Sequence, residues 1–177
     1  MIDAYAWFVG GKKAIKGETN DKTVKAKNGF DLIDFSFGVE NQVNVGSSSG
    51  GLGSGRVQLD RFEFSKNMDT ASCDMVLAAC TGDHIPELHL SLRKGGGGGA
   101  SDSGGEFVHV QMINVVIESV KWSGSDGDEA FVDNVVVAFA GIKIDYMKQD
   151  MTGKLEAGGA VEWNQTTNEA VMGKPGK

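Results

Sequence analysis

The side chains able to do chemistry are few and scattered. The histidines are His84, His89 and His109, the cysteines are Cys73 and Cys80, and carboxylates cluster at Asp126, Asp128 and Glu129. A zinc site needs three or four well-spaced ligands. The histidines lack that spacing, and the cysteines belong to another element. His89 and His109 therefore read as two solvated side chains on a polar sheet face. The carboxylate run lacks EF-hand spacing and reads as turn chemistry. Neither cysteine has an obvious histidine base in sequence. The expectation is no catalytic residue, no cofactor and no metal. Asn164-Gln165-Thr166 is a glycosylation sequon, which matters only in a chain secreted through the appropriate compartment.

Two glycine-rich stretches could imitate phosphate loops: "GGLGSGR" (Gly50 to Arg56) and "RKGGGGGASDSGG" (Arg93 to Gly105). A P-loop needs Gly-Lys, then Ser or Thr, then a helix. Neither stretch has that sequel; a strand pattern follows each. Parity settles the second stretch. Leu88, Leu90 and Leu92 alternate with His89, Ser91 and Arg93; Val108, Val110 and Met112 alternate with His109 and Gln111. Pairing Lys94 with Glu106 places all the apolar residues on one face and makes His89 and His109 diagonal neighbours on the other. The glycine run is then a hairpin tip rather than a linker between domains.

Composition narrows the class. The chain has 177 residues, 26 glycines, 2 prolines, 40% hydrophobic residues and a formal charge of −7. That length suits one domain with a real core, and the glycine excess favours strands over helices. Without a clustered basic excess, nucleic acid and polybasic membrane binding are not expected. No apolar run reaches about 18 residues, so no membrane insertion is expected. The start lacks the pattern of a signal peptide. On a helix, Cys73 and Cys80 stand roughly 10 Å apart, beyond the roughly 7 Å that a disulfide tolerates between Cα atoms. They should stay thiols, as in a reducing cytoplasm.

The elements that must position these residues are mainly strands. Ala4 to Val9 is a first strand. Phe30 to Val39 is a second, with a bulge or twist near Leu32. Glu40 to Gly55 reads as a long polar loop and Arg56 to Phe64 as a strand. Asp69 to Cys80 is the only helix, capped by Asp69 or Thr70 and closed by Gly82. Its apolar stripe is Met75, Val76, Ala79 and Cys80, which makes the cysteines core. Glu87 to Lys94 and Glu106 to Trp122 form the hairpin. Gly124 to Gly127 turns into a return strand, Phe131 to Tyr146, whose middle is apolar on both faces. The tail from about residue 147 is polar and glycine-rich, with a short alternating piece around Val161 and Trp163.

The ordered blocks "KGETNDKT", "IDFSFGVEN", "GRVQLDRFEFSKNMD", "GDHIPELHLSLRK", "GSDGDE" and "DNVVVAFAGIKIDY" resemble Hcp, the haemolysin-coregulated protein family of bacterial type VI secretion systems. The resemblance covers nearly the whole chain, 1–177, as a single domain. Two features depart from the family pattern: a longer loop after Lys94 and no proline at the helix start. The resemblance implies a two-sheet β-barrel with one short flanking helix and a structural role. The implied partners are the chain itself, as a homohexamer in stacked rings, together with the VgrG spike, sheath proteins and effectors carried in the lumen. It also implies synthesis in the bacterial cytoplasm and expulsion by the machine without a signal peptide. The segment Glu40 to Gly55 would touch neighbouring subunits, with Val43, Val45, Leu52 and Arg56 as contacts. The polar sheet parity would face the lumen, with Ser36, His89, Ser91, His109 and Gln111 as candidates. A phage-type tail tube protein, or less readily a β-barrel binding module or enzyme, are the alternatives.

Overall fold

The computed structural model describes residues 2–44, 53–94, 105–127, 130–151 and 154–176. Its centre is the hairpin of strands β7 (Ile85–Lys94) and β8 (Glu106–Ser123). The register pairs Leu88 with Met112, Leu90 with Val110 and Leu92 with Val108, as alternation predicts. Only the last rung differs: a bulge after Leu92 sets Arg93, not Lys94, opposite Glu106. Leu88, Leu90, Val110 and Met112 are fully buried.

Strand β8 is long enough to belong to two sheets. Its first half lies between β7 and strand β10 (Gly141–Gln149), and its second half pairs with strand β9 (Val132–Ala138). At the changeover Asn114 has φ +52°, a left-handed conformation that asparagine tolerates better than most residues. The single return strand expected over Phe131 to Tyr146 is thus two strands, broken at Phe139 and Ala140. Strand β1 (Ile2–Val9) pairs with β7 and with β2 (Phe30–Asp31), and strand β11 (Leu155–Asn164) extends the other side of β10. The first sheet therefore runs β2-β1-β7-β8-β10-β11. The second runs β8-β9-β6-β3, with β3 at Asp34–Ser36 and β6 at Phe62–Asn67. Among the described residues the hydrogen-bonded path does not close on itself.

Four further sequence expectations change. Phe30 to Val39 is three strands, not one. The Leu32 amide bonds to Ala4 O of the first sheet, and the next amide, Ile33, bonds to Ser65 O of the second. The irregularity at Leu32 is thus a change of sheet, and Ile33 and Val39 are left exposed. Glu40 to Gly55 is not simply a loop. Its ends form a separate two-stranded hairpin of β4 (Val39–Asn44) and β5 (Gly53–Leu59). Arg56 to Phe64 breaks at Asp60 and Arg61, where the chain passes from that hairpin into β6. The polar tail, finally, holds a ten-residue strand, β11.

A short helix, α1 (Lys22–Lys25), also forms where none was expected. Its single turn is nucleated by Asp21, whose carboxylate accepts from the Thr23 and Val24 amides. The main helix, α2 (Thr70–Thr81), begins at an Asp69–Ser72 capping box and ends at Gly82, which has φ +59°. It buries Ala71, Ser72, Met75 and Ala78 rather than Val76 and Cys80, and both cysteines are exposed free thiols. Apolar residues occur all round this helix, so spacing alone left its buried face ambiguous. The core lies between the two sheets and α2. Phe30 links the sheets there, with its ring 6.1 Å from Phe8 and 5.6 Å from Phe64.

A charged knot locks α2 to the second sheet. Lys66 and Asp133 are cross-strand partners with no solvent exposure, and their Nζ and Oδ2 lie 3.0 Å apart. The same ammonium reaches Asp69 Oδ1 at 2.6 Å and Asn67 O at 2.7 Å, and Ser72 Oγ donates to Asp133 Oδ2. The helix cap and the strand pair thus share one lysine. An alternation pattern cannot announce such a site, because it sits at positions the pattern assigns to apolar residues.

Candidate functional site

One face of the first sheet is core; the other is polar. Strand register lays the polar face out in rows. Trp7, His89, Gln111, Lys143 and Glu162 form one row, and Tyr5, Ser91, His109, Asp145 and Ala160 the next. Of the five candidates, the structure brings His89, Ser91, His109 and Gln111 together. Ser36 does not join them; it lies on β3 of the second sheet, because the chain has already changed sheets at Ile33.

The histidines are not simply solvated, because Trp7 stacks on His89 with centroids 5.0 Å apart and planes 6° from parallel. His89 Nε2 lies 2.8 Å from Glu87 Oε2, and the same oxygen accepts from Gln111 Nε2 at 3.0 Å. His89 Nδ1 lies 3.1 Å from His109 Nε2. These contacts fix the protons. A carboxylate only accepts, so His89 Nε2 carries hydrogen; Nδ1 of the neutral ring is then bare, and His109 Nε2–H donates to it. Burial lowers the pKa of His89 below its ordinary value, with His109 and Lys27 adding to the fall and Glu87 opposing it. Each facing nitrogen of the pair already has a partner. Among the described residues no group of three or more His, Cys, Asp or Glu is arranged to hold a metal ion.

Part of this face is covered by the chain itself. The segment around α1 crosses β1 and β7, where Lys27 Nζ sits 4.1 Å from the Trp7 ring centroid. Arg93 Nη1 lies 3.1 Å from Asp21 Oδ2, and its guanidinium carbon is 5.7 Å from the Tyr5 ring. Ser91 is fully buried beneath this region, and its Oγ has no hydrogen-bond partner. Burial, helped by Asp3, Asp21 and Asp31, raises the Tyr5 pKa. Val24 fixes the segment from below: a side chain at Gly29 would collide with Val24 Cγ1.

The other half is open. Across β8, β10 and β11, a cleft of about 530 Å³ is lined by Glu106, Phe107, His109, Asp145, Met147 and Ala157, among others. Its floor along β11 is small, Ala157 to Ala160. Sequence reasoning missed Trp7, Glu87, Glu106 and Asp145 as members of this face. Parity could have supplied Trp7 and Glu87, since Glu87 shares the parity of His89 and the strand Ala4 to Val9 needed only a register against β7.

The predicted subunit-contact residues sit elsewhere. Val43 lies on β4 opposite Ser54; Val45 and Leu52 fall outside the described residues, as does the tip 95–104. Arg56 is exposed but engaged within its own chain, donating from Nη2 to the Gln165 and Thr166 carbonyls. That contact ties the β4–β5 hairpin to the turn after β11.

The family model described as type VI secretion system effector, Hcp, matches residues 5–146. The chain belongs to the Hcp family. A curated relative, protein hcp1 of Pseudomonas aeruginosa, is 30% identical over 64% of this chain and 68% of its own length. A solved type six secretion system protein superposes with a TM-score of 0.83 at 24% identity, covering 96% of this chain and 99% of its own. Hcp1 from Salmonella typhimurium superposes with a TM-score of 0.71 at 22% identity over the same shares. The mainly β architecture with one helix of more than a single turn is thus the Hcp fold, and the chain is a type VI secretion protein with a structural rather than catalytic family role. Among the described residues no helix is long and apolar enough to cross a membrane.

Proposed function

We propose that this Hcp-family chain closes into six-membered rings that stack into the inner tube of a type VI secretion system. The polar face of the first sheet lines the lumen. The observation that carries this reading is the two-faced sheet. One face is the core, the other is polar and half open, and among the described residues the edge strand β11 pairs with no strand other than β10. A sheet of that kind suits a tube wall: the apolar side supports the protomer, the polar side tolerates water, and edges are covered by neighbours. The two sheets wrap the core as a barrel in the assembled protomer.

On this reading the segment Glu40 to Gly55, with Val43, Val45 and Leu52 as contacts, meets a neighbouring subunit, and Arg56 braces the base of the β4–β5 hairpin. His89, His109 and Gln111 are reachable from the channel, whereas Ser91 lies under the covered half. Effector proteins ride in the lumen, the VgrG spike tips the tube and the sheath surrounds it. The protein is made in the cytoplasm and expelled by the machine. The chain has no enzymatic role.

Light scattering on purified protein tests the ring directly. The expected mass is six times the protomer mass of 18.7 kDa, with annular particles in negative stain. A monomer at micromolar concentration overturns the reading.

A further inference from the structure

The polar face shows how this chain covers its own aromatic rings. Over β1 and β7 each ring meets a cation: Lys27 on Trp7, and Arg93 on Tyr5 with the Asp21 carboxylate completing the pair. The open cleft over β8, β10 and β11 brings the same kinds of group together, with Glu106 as the carboxylate that has no ion-pair partner among the described residues. Phe107 supplies an aromatic wall, Met147 and Ala157 an apolar one, and Glu106 and Asp145 the carboxylates. Lys94 extends over Phe107 from outside, with Nζ 5.6 Å from the ring, and Lys143 reaches Asp145 at 3.5 Å while shared with Glu162 at 3.8 Å.

We infer that this cleft binds an arginine or lysine side chain presented by an extended segment of a guest polypeptide. The aliphatic stem lies along Met147 and the small residues of β11, and the charged head reaches Glu106 and Asp145. A volume of about 530 Å³ is ample for such a side chain and its flanking backbone, and lies in the range of ordinary ligand sites. Cation, carboxylate and ring reinforce one another when partly desolvated. The small residues of β11 leave room for a guest backbone to lie close to the sheet. The cleft exists on one protomer; its repetition around a channel rests on the ring reading above.

The test uses fluorescein-labelled (Gly-Arg)₄, (Gly-Ser)₄ and (Gly-Glu)₄ peptides titrated with the full-length protein. Glu106→Gln with Asp145→Asn should weaken (Gly-Arg)₄ binding about tenfold, the scale of losing charge-assisted contacts. Glu63→Gln with Asp126→Asn removes the same charge from exposed sites elsewhere and should change binding less than about twofold, as expected for screened surface charge. Ala157→Trp fills the cleft without altering charge and should also weaken binding. Equal losses in the two double variants, or wild-type protein that does not prefer (Gly-Arg)₄ to (Gly-Ser)₄, overturn the proposal. Light scattering on the same samples separates the two ideas. Selective binding by a protomer that does not form rings keeps the cleft and removes the channel; intact rings without selectivity do the reverse.

Discussion

Two polar clusters in this protein use similar side chains to opposite ends. The Lys66–Asp69–Ser72–Asp133 knot lies where α2 meets the second sheet, and Lys66 and Asp133 have no contact with solvent. The Glu87–His89–His109–Gln111 cluster lies on the polar face of the first sheet, shielded on one side by Trp7 and open on the other. In the knot, full charges neutralise one another inside a low-dielectric core. On the face, a histidine pair is ordered by one carboxylate. A buried ion pair gains little over apolar packing but is costly to break; a half-buried histidine pair costs little to lose and responds to pH. The knot is architecture, and the face retains the freedom to meet something else.

The largest effect should come from breaking the knot on one side only. Lys66→Met leaves Asp133 and Asp69 without their cation, and should cost about 3–5 kcal/mol. At about 2–4 °C per kcal/mol for a chain of this size, the Tm falls by about 6–20 °C. Lys66→Met with Asp133→Leu should recover much of that loss, because no unpaired charge remains. Urea unfolding at a fixed protein concentration measures both. An unchanged midpoint for the single variant would show that the knot does not hold α2 to the sheet.

The next largest effect should come from prying the cover off the face. An alanine at Gly29 drives a methyl group into Val24 Cγ1 and close to the Ala6 and Val24 carbonyl oxygens. Overpacking of this kind costs about 1–3 kcal/mol, and here the soft element is the short α1 segment. Hydrogen exchange should speed up in residues 21–29 while β7 and β8 keep their protection. If the whole first sheet loosens equally, the segment is part of the core rather than a cover over it.

How much of this was legible follows from which physics writes each feature. The β7–β8 register was legible because alternation leaves one solution: a slip by one residue would put Leu88, Leu90 and Leu92 into water. The cap at Asp69 and the stop at Gly82 were legible because both are local chemistry. The changes of sheet at Ile33 and Asp60 were not, since a hydrogen bond's partner strand is decided by tertiary packing, and the residues read as strand either way. The histidine pair was legible as a diagonal contact on the polar face. Its burial was not, because Trp7 and Lys27 reach it from segments with no local link to β7. Glu106 and Asp145 were unremarkable as sequence; only the tertiary placement of β8, β10 and β11 side by side makes them walls of a cleft.

The histidine cluster should give a smaller effect, and one with a definite sign. The His89 pKa is lowered in the folded state by burial, with His109 and Lys27 pushing the same way and Glu87 opposing. Asp145, the cross-strand neighbour of His109, is the other ionisable group at the pair. The unfolded chain therefore binds more protons than the folded one between the lowered pKa and the ordinary value of about 6.5. The contribution is complete above that ordinary value and is lost as pH falls through the folded pKa. Tm measured from pH 8 to pH 5 should fall through this window more steeply in the wild type than in His89→Gln. Parallel curves would mean that His89 does not carry the proton linkage.

The smallest effect should come from replacing the pair altogether. His89→Gln with His109→Gln keeps side chains that can reach Glu87 and each other, and it removes both titrating groups and the stacked rings against Trp7. At pH 7.5 His89, whose pKa burial lowers, is neutral in the wild type, so its replacement removes no charge. The cost is the loss of ring stacking, about 0.5–1.5 kcal/mol, and Gln can recover part of it through hydrogen bonds. The expected outcome is a Tm within a few degrees of wild type, an unchanged oligomeric mass and no bound zinc in either protein by elemental analysis. A loss of assembly, or stoichiometric zinc in the wild type alone, would make the face cluster as architectural as the knot and erase the distinction between the two.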